Sequence, residues 1–123
     1  MNIWVLVIDD DPGTREALAD ILGRAGYRVA VWAGDEPFEA AGLGQPFCVA
    51  VVDYHLPSDN GLEVATRLKG LQPDCRIILT SSELPPASEL APAEGVVDHF
   101  LAKPFSKDDI LKVVARLCHP KTR

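Results

Sequence analysis

Carboxylates directly follow two apolar segments of the chain. The run IWVLVI at residues 3–8 is followed by Asp9 and Asp10, and the run FCVAVV at 47–52 is followed by Asp53. If the two runs are neighbouring strands of one parallel sheet, their carboxyl ends meet at one edge and the carboxylates converge. Like charges this close are costly at low dielectric unless a cation joins them. Because Mg²⁺ prefers oxygen ligands and binds through few carboxylates while keeping waters, the sequence predicts a magnesium site.

Two later segments add hydroxyl groups and an ammonium to the same edge. RIILT at 76–80 ends in a threonine that Ser81 follows, and VVDHFLA at 96–102 leads to Lys103. An acid that accepts a group, a metal that neutralises it and donors for its oxygens form a set suited to phosphoryl transfer.

The elements that would position these residues alternate between strand and helix. Strands are predicted at 3–8, 27–32, 47–53, 76–80 and 96–102. The first helix is predicted between Asp11, which can cap it, and Gly26, which stops it. Further helices are predicted at 35–44, 61–71 and 106–118. Five β/α units of this kind give a doubly wound α/β sandwich with a parallel sheet.

The segment before the predicted fifth strand breaks the pattern. It contains Pro85, Pro86 and Pro92, and a proline in a helix interior costs ~3 kcal/mol. We therefore expect a short or distorted fourth helix there, and an altered partner or dimer surface.

Composition indicates one domain, expected at residues 1–119 with a C-terminal tail at 120–123. The chain has 123 residues, of which 47% are hydrophobic, and a net charge of −6. This charge argues against nucleic-acid binding. No apolar run approaches the ~20 residues of a membrane span, and no secretory signal is seen, so a cytoplasmic location is expected.

The cysteines are odd in number and widely spaced, without a Cys-x-x-Cys pair; they are Cys48, Cys75 and Cys118. Reduced thiols acting as small hydrophobes are expected. A zinc site built with His55, His99 or His119 is the alternative, although no ligand pair has finger-like spacing.

Four segments together resemble the receiver domain of two-component response regulators. They are VIDDDP (7–12), VVDYHLPSDNG (51–61), IILTS (77–81) and FLAKPF (100–105). Each segment alone is a weak or moderate indicator of this family, but the four segments together, in this order and at predicted strand ends, are a specific indicator of it. The resemblance covers nearly the whole chain and implies a flavodoxin-like (βα)5 fold with strand order 2-1-3-4-5.

The resemblance implies that Asp53 takes a phosphoryl group from a sensor histidine kinase or a phosphotransfer protein. Thr80 and Lys103 would contact the phosphoryl oxygens, with a cis Lys103–Pro104 peptide. Phe100 would be an aromatic switch that moves inward with Thr80. Alternatively, Thr80 is an ordinary β-branched residue at a strand end, and Phe100 is an aromatic residue of the core.

The resemblance also implies the ligands of Mg²⁺. These would be Asp10 directly, Asp9 mostly through water, Asp53, and the backbone carbonyl of His55. The side chains of His55 and Ser82 occupy positions that influence phosphoryl lifetime in the family, and a solvent-exposed loop residue is the alternative for His55.

The function expected is a phosphoryl-accepting signalling switch that promotes only its own phosphorylation and dephosphorylation. An output domain or downstream partner and a homodimer are possible partners. One alternative is a receiver-fold binding module that takes no phosphate. Two others are weaker: a haloacid-dehalogenase-like phosphatase, because Gly13 stands where that family has Thr or Val, and a flavodoxin-like redox carrier, because no Ser/Thr-rich loop follows the first strand.

Overall fold

The computed structural model describes residues 3–34, 44–57, 60–83 and 95–119, which hold five strands and three helices. The strands are β1 (Trp4–Ile8), β2 (Arg28–Trp32), β3 (Val49–Asp53), β4 (Arg76–Ser81) and β5 (His99–Ala102). The helices are α1 (Pro12–Arg24), α2 (Gly61–Leu71) and α3 (Lys107–Cys118). The helix predicted at 35–44 and the distorted fourth helix around 84–94 lie almost wholly outside the described residues.

The strands form one parallel sheet in the order β2-β1-β3-β4-β5. Ile8 pairs with Val52 across β1 and β3, and Asp53 pairs with Thr80 across β3 and β4. This order confirms the predicted doubly wound, flavodoxin-like sheet. Since the order reverses between β1 and β3, Asp9 at the end of β1 and Asp53 at the end of β3 meet at the switch point.

Strand side chains alternate between two buried clusters, one on each face of the sheet. Leu6 and Ala50 belong to the cluster that α2 covers, here called the α2-side cluster. Val5 and Val49 belong to the cluster that α1 and α3 cover, here called the α1/α3-side cluster. Because both faces are buried, β1, and β3 as far as Val52, are apolar without alternation.

Local capping explains where the helices begin and end. The Asp11 carboxylate accepts hydrogen bonds from the Thr14 hydroxyl and backbone N–H, which hold its pKa below the usual value. Gly26 follows α1 with φ of 101°, a left-handed conformation that favours glycine. Ser106 and Asp109 form a reciprocal capping box at α3. The predicted roles of Asp11, Gly26 and Ser106 are confirmed.

The fifth strand begins at His99, so its predicted start at residue 96 was wrong. Val96 and Val97 are apolar because they pack against the α2-side cluster, not because they extend the sheet. The Asp98 carboxylate accepts from the backbone N–H of Ile77 at 2.8 Å and from Lys69 Nζ at 3.0 Å. The Asp98 backbone N–H still donates to the Ile77 carbonyl at 2.9 Å, but the Ile77 N–H bonds to the Asp98 side chain, and regular strand pairing starts at His99.

Gly61 lets α2 begin directly against the end of β3. Its N–H donates to the Tyr54 carbonyl at 2.6 Å. A Cβ at this position would lie 2.2 Å from the Asp53 carbonyl oxygen and 2.8 Å from the Tyr54 Cα. Only glycine permits this approach, so the residue helps to hold Asp53 at the edge of the sheet.

We expect Gly61→Ala to lower the free energy of unfolding by about 2–3 kcal/mol, because the added methyl group meets backbone that has no room to move. Urea unfolding followed by circular dichroism measures the loss. Gly70→Ala, in the same helix, is the matched control: its Cβ meets nothing within 4 Å, and alanine should stabilise by about 0.5–1 kcal/mol. Equal effects of the two substitutions would contradict the close approach.

A second stability prediction concerns His99, whose Nδ1 accepts from Arg116 at 2.9 Å. Burial and the Arg116 charge lower the pKa of His99 from its usual value. Because the folded-state pKa is lowered, the stability contribution of His99 is present above the unfolded pKa of about 6.5 and is lost as pH falls below it.

His99→Gln should therefore reduce the loss of stability between about pH 7 and pH 5 relative to the native chain. Thermal unfolding across this range measures the difference. Arg116→Met should reduce the same pH dependence in part, because it removes the repelling cation. Parallel pH curves for His99→Gln and the native chain would disprove the prediction.

Candidate functional site

Three carboxylates converge where β1 and β3 end. Asp9, Asp10 and Asp53 each offer an oxygen within 4.8 Å of the others. Asp9 and Asp53 are only 2% and 6% exposed, whereas Asp10 is exposed. Within the described ranges this is the only cluster of acidic, histidine or cysteine side chains close enough to share a metal ion. The cysteine–histidine zinc site considered above is therefore absent from that part of the chain.

Lys103 reaches into the cluster from the end of β5. Its Nζ lies 3.0 Å from Asp9 Oδ2 and 3.6 Å from Asp53 Oδ1. Its backbone N–H donates to the Ser81 carbonyl at 2.8 Å, and the Lys103–Pro104 peptide is cis. Burial acts to lower the pKa of Lys103, but its hydrogen bond to Asp9 and the charge of Asp53 outweigh burial, so the pKa is raised.

The single positive charge of Lys103 does not neutralise the negative charge of the three carboxylates. Burial raises the pKa of Asp53, the charge of Asp9 raises it further, and Lys103 opposes both only in part. Excess negative charge in a pocket of hard oxygen atoms is what a divalent cation relieves, and Mg²⁺ favours such a donor set. Asp9, Asp10 and Asp53 therefore fit a magnesium ion.

The two hydroxyl groups at the end of β4 have different partners. Thr80 is 2% exposed, lies beside Asp53 in the sheet register, and donates through Oγ1 to the Val52 carbonyl at a long 3.4 Å. The Ser81 hydroxyl instead donates to the Glu83 carbonyl and accepts from the Glu83 N–H at 3.1 Å. The Ser81 hydroxyl is thus held in a local turn, while Thr80 stands next to Asp53.

The remaining predicted residues lie around this centre. His55 is exposed, its ring packs edge-on against Tyr54 at 5.0 Å between centroids, and its backbone N–H donates to Asp53 Oδ1 at 3.3 Å. Ser82 is exposed beside Lys103. Phe100 is 38% exposed and belongs to neither buried cluster, so the core alternative for Phe100 was wrong.

Arg15 was not predicted from the sequence. Its Nη1 donates to the Asp9 carbonyl at 2.8 Å, while the Asp11 N–H donates to Asp9 Oδ1 at 2.9 Å. These bonds hold the turn that presents Asp9 and Asp10. An arginine in the first turns of a helix is a common surface residue, so its sequence position carried no signal of this contact.

A cavity of about 520 Å³ opens beside the site, between α1 and the segment that follows β5. Ala17, Leu18 and Ile21 of α1 line one wall, and Pro104 and Phe105 line the other. The cavity therefore places an apolar recess next to the Lys103 ammonium.

None of the helices in the described ranges combines the length and apolarity that crossing a bilayer requires.

Comparison with known proteins agrees with this geometry. The family model for the response regulator receiver domain matches residues 5–115. The DNA-binding transcriptional regulator NtrC of Azospirillum brasilense is 31% identical over 121 residues, which are 96% of this chain and 24% of that protein. The chain thus spans about a quarter of the length of this curated relative.

Two solved structures are also similar. A response regulator from Burkholderia pseudomallei, with a phosphorylated aspartic acid, calcium ion and citrate, is 33% identical with a TM-score of 0.80, covering 94% of this chain and 69% of that chain. The response regulator TrrA of Thermotoga maritima, in complex with Mg²⁺ and BeF, is 27% identical with a TM-score of 0.80, covering 94% and 98%. With the family model matching nearly the whole chain, this protein belongs to the response regulator receiver domain family of two-component signalling.

Proposed function

We propose that this receiver domain accepts a phosphoryl group on Asp53 and acts as a signalling switch. The supporting observation is the buried carboxylate of Asp53, which clusters with Asp9 and Asp10, lies 3.6 Å from Lys103 Nζ, and belongs to the residue that pairs with Thr80 in the sheet. The donor is the phosphohistidine of a sensor histidine kinase or of a phosphotransfer protein. We assign residues 1–119 to this domain.

The transfer needs little from the protein beyond position and charge. An Asp53 carboxylate oxygen forms the new bond to phosphorus as the bond between phosphorus and the imidazole nitrogen of the donor breaks. No general base is required because the nucleophile is already an anion. Lys103 Nζ, 3.6 Å from Asp53 Oδ1, is placed to donate to the transferring oxygens.

Asp9, Asp10, Asp53 and the backbone carbonyl of His55 would hold Mg²⁺. When bound, this ion supplies positive charge that offsets the carboxylates and the phosphoryl oxygens. Arg15 supports the arrangement indirectly, because its bond to the Asp9 carbonyl keeps the Asp9–Asp10 turn in place.

Phosphorylation would change the contacts of Thr80 first. The acyl phosphate carries more negative charge than the carboxylate and offers strong acceptor oxygens. Thr80 Oγ1 leaves its long bond to the Val52 carbonyl for this better acceptor, and the half-exposed ring of Phe100 turns inward behind it. The surface around β5 thereby differs between the two states.

The residues that flank the site would set how long the phosphoryl group survives. The side chains of His55, two residues after Asp53, and Ser82, two residues after Thr80, are exposed and so can admit or exclude the attacking water. We place the domain in the cytoplasm, acting through an output domain of a longer protein, a downstream partner or a homodimer.

Asp53→Asn should abolish phosphorylation, because an amide oxygen is a poor nucleophile. Incubation with acetyl phosphate and Mg²⁺, followed by intact mass, detects the added phosphoryl group. Asp11→Asn is the matched control: Asp11 caps α1, and asparagine caps equally well. Undiminished labelling of Asp53→Asn would overturn the proposal, and a native chain that stays unlabelled would favour a binding module that takes no phosphate.

Asp10→Asn should weaken Mg²⁺ binding roughly tenfold or more, since one charged ligand is lost. Saturating Mg²⁺ should raise the unfolding temperature of the native chain, because an ion that binds only the folded state at about 100 times its Kd adds about 2.7 kcal/mol. A Mg²⁺ titration of the unfolding temperature measures both effects.

Asp11→Asn again serves as the control and should keep the native Mg²⁺ dependence. If Asp10→Asn and Asp11→Asn weakened Mg²⁺ binding equally, the ion would be attracted by the overall negative charge of this region and not held by the proposed ligands.

A further inference from the structure

The residue that directly follows β1 is held at each of its polar groups. The Asp9 carbonyl accepts from Arg15 Nη1 at 2.8 Å, and Asp9 Oδ1 accepts from the Asp11 N–H at 2.9 Å. Asp9 Oδ2 accepts from Lys103 Nζ at 3.0 Å. The Asp9 N–H donates to the Trp32 carbonyl at 3.2 Å. Asp9 is therefore fixed to α1, to the end of β2 and to the segment after β5.

Arg15 braces this part of the chain from within α1. Its backbone N–H donates to the Asp11 carbonyl at 3.0 Å, so the helix sets where its side chain starts. The half-buried side chain then returns to the Asp9 carbonyl. A guanidinium is planar and preorganised, and loses little freedom in forming such a bond. The loop from residue 9 to residue 15 is thus closed on itself, and its backbone has little room to move.

Asp10 lies inside this closed loop and depends on it. Its side chain is exposed, so the backbone of the loop, and not packing, sets the direction of its carboxylate. Asp53 is held separately, because it is buried at the end of β3 and Gly61 packs against its carbonyl. The distance between the Asp10 and Asp53 carboxylates is therefore only as constant as the braced loop.

The stiffness of an acidic site decides which divalent cation it prefers. Mg²⁺ takes a strict octahedron of oxygens at about 2.0–2.1 Å, whereas Ca²⁺ accepts roughly six to eight oxygens at about 2.3–2.6 Å in variable geometry. A site that cannot open favours the smaller ion, and a loosened site loses that preference. The charge of a nearby arginine acts differently, because it repels both divalent ions to a similar degree.

We propose that Arg15 is a positioning residue that gives the acidic site its preference for Mg²⁺ over Ca²⁺. The inference rests on the magnesium site proposed above and adds to it the reason for the choice of ion. Arg15 acts through the Asp9 backbone, and its bracing of the loop outweighs the repulsion between its charge and the ion.

Arg15→Met tests the inference, because it removes the donors and keeps a long side chain. The unfolding temperature is measured in EDTA and then across Mg²⁺ and Ca²⁺ concentrations, which gives a Kd for each ion. The Kd for Mg²⁺ should rise roughly tenfold, as is usual when a group that orients a metal ligand is removed. The Kd for Ca²⁺ should change less than about threefold, because its coordination is flexible. The ratio of the Ca²⁺ Kd to the Mg²⁺ Kd should therefore fall at least about threefold.

Two further variants separate bracing from charge. Arg24→Met is the matched control, since Arg24 also lies on α1 and pairs with the exposed Asp20 at 2.9 Å, away from the site. It removes the same charge and should keep both Kd values. Arg15→Lys keeps the charge and a single donor, so its ratio should lie between those of the native chain and Arg15→Met. This variant carries the test if Arg15→Met does not fold in EDTA.

The outcomes distinguish this inference from the magnesium site on which it rests. A native ratio in Arg15→Met, with both Kd values unchanged or both raised together, would overturn the inference and leave the magnesium site in place. Tighter binding of both ions would overturn it too, because charge repulsion would then outweigh bracing. A native chain that prefers Ca²⁺ would also contradict it. A native chain that binds neither ion would overturn the magnesium site itself.

Discussion

The structure depends on one electrostatic constraint, the placing of two buried carboxylates beside a single lysine. Asp9 and Asp53 are almost fully shielded from water, and Lys103, which directly follows β5, contacts both. The attraction ties β1, β3 and β5 together at their carboxyl ends. It leaves unbalanced negative charge, as the raised pKa of Asp53 indicates, and that imbalance prepares the site for a divalent cation.

The sheet supplies the precision that this charge cluster needs. The order β2-β1-β3-β4-β5 places the end of β1 beside β3, and the close approach of Gly61 holds α2 against the Asp53 backbone. Arg15 then fixes the Asp9 carbonyl from α1. The reactive groups are therefore held by buried strands and helix starts rather than by flexible loops, which suits a site that transfers a group by position and charge.

The buried polar side chains of the described residues all lie at one end of the sheet. Asp9, Asp53, Thr80 and Ser81 gather at the carboxyl ends of the strands, and the Lys103 ammonium joins them there. The apolar clusters on the two faces of the sheet hold the strands that carry these groups. On one face, the packing of α3 buries Ile110 and Val114 against β1 and β3 residues.

The sequence by itself determined the elements and the kind of chemistry, because apolar periodicity, caps and strand-end acids are local signals. It predicted the acids after β1 and β3, Lys103 after β5 and the cap at Asp11. Tertiary structure alone decided that the Asp98 side chain accepts the Ile77 N–H before β5 and that Arg15 supports Asp9. Each of these contacts joins residues through the packing of separate elements, and spacing along the chain does not specify such packing.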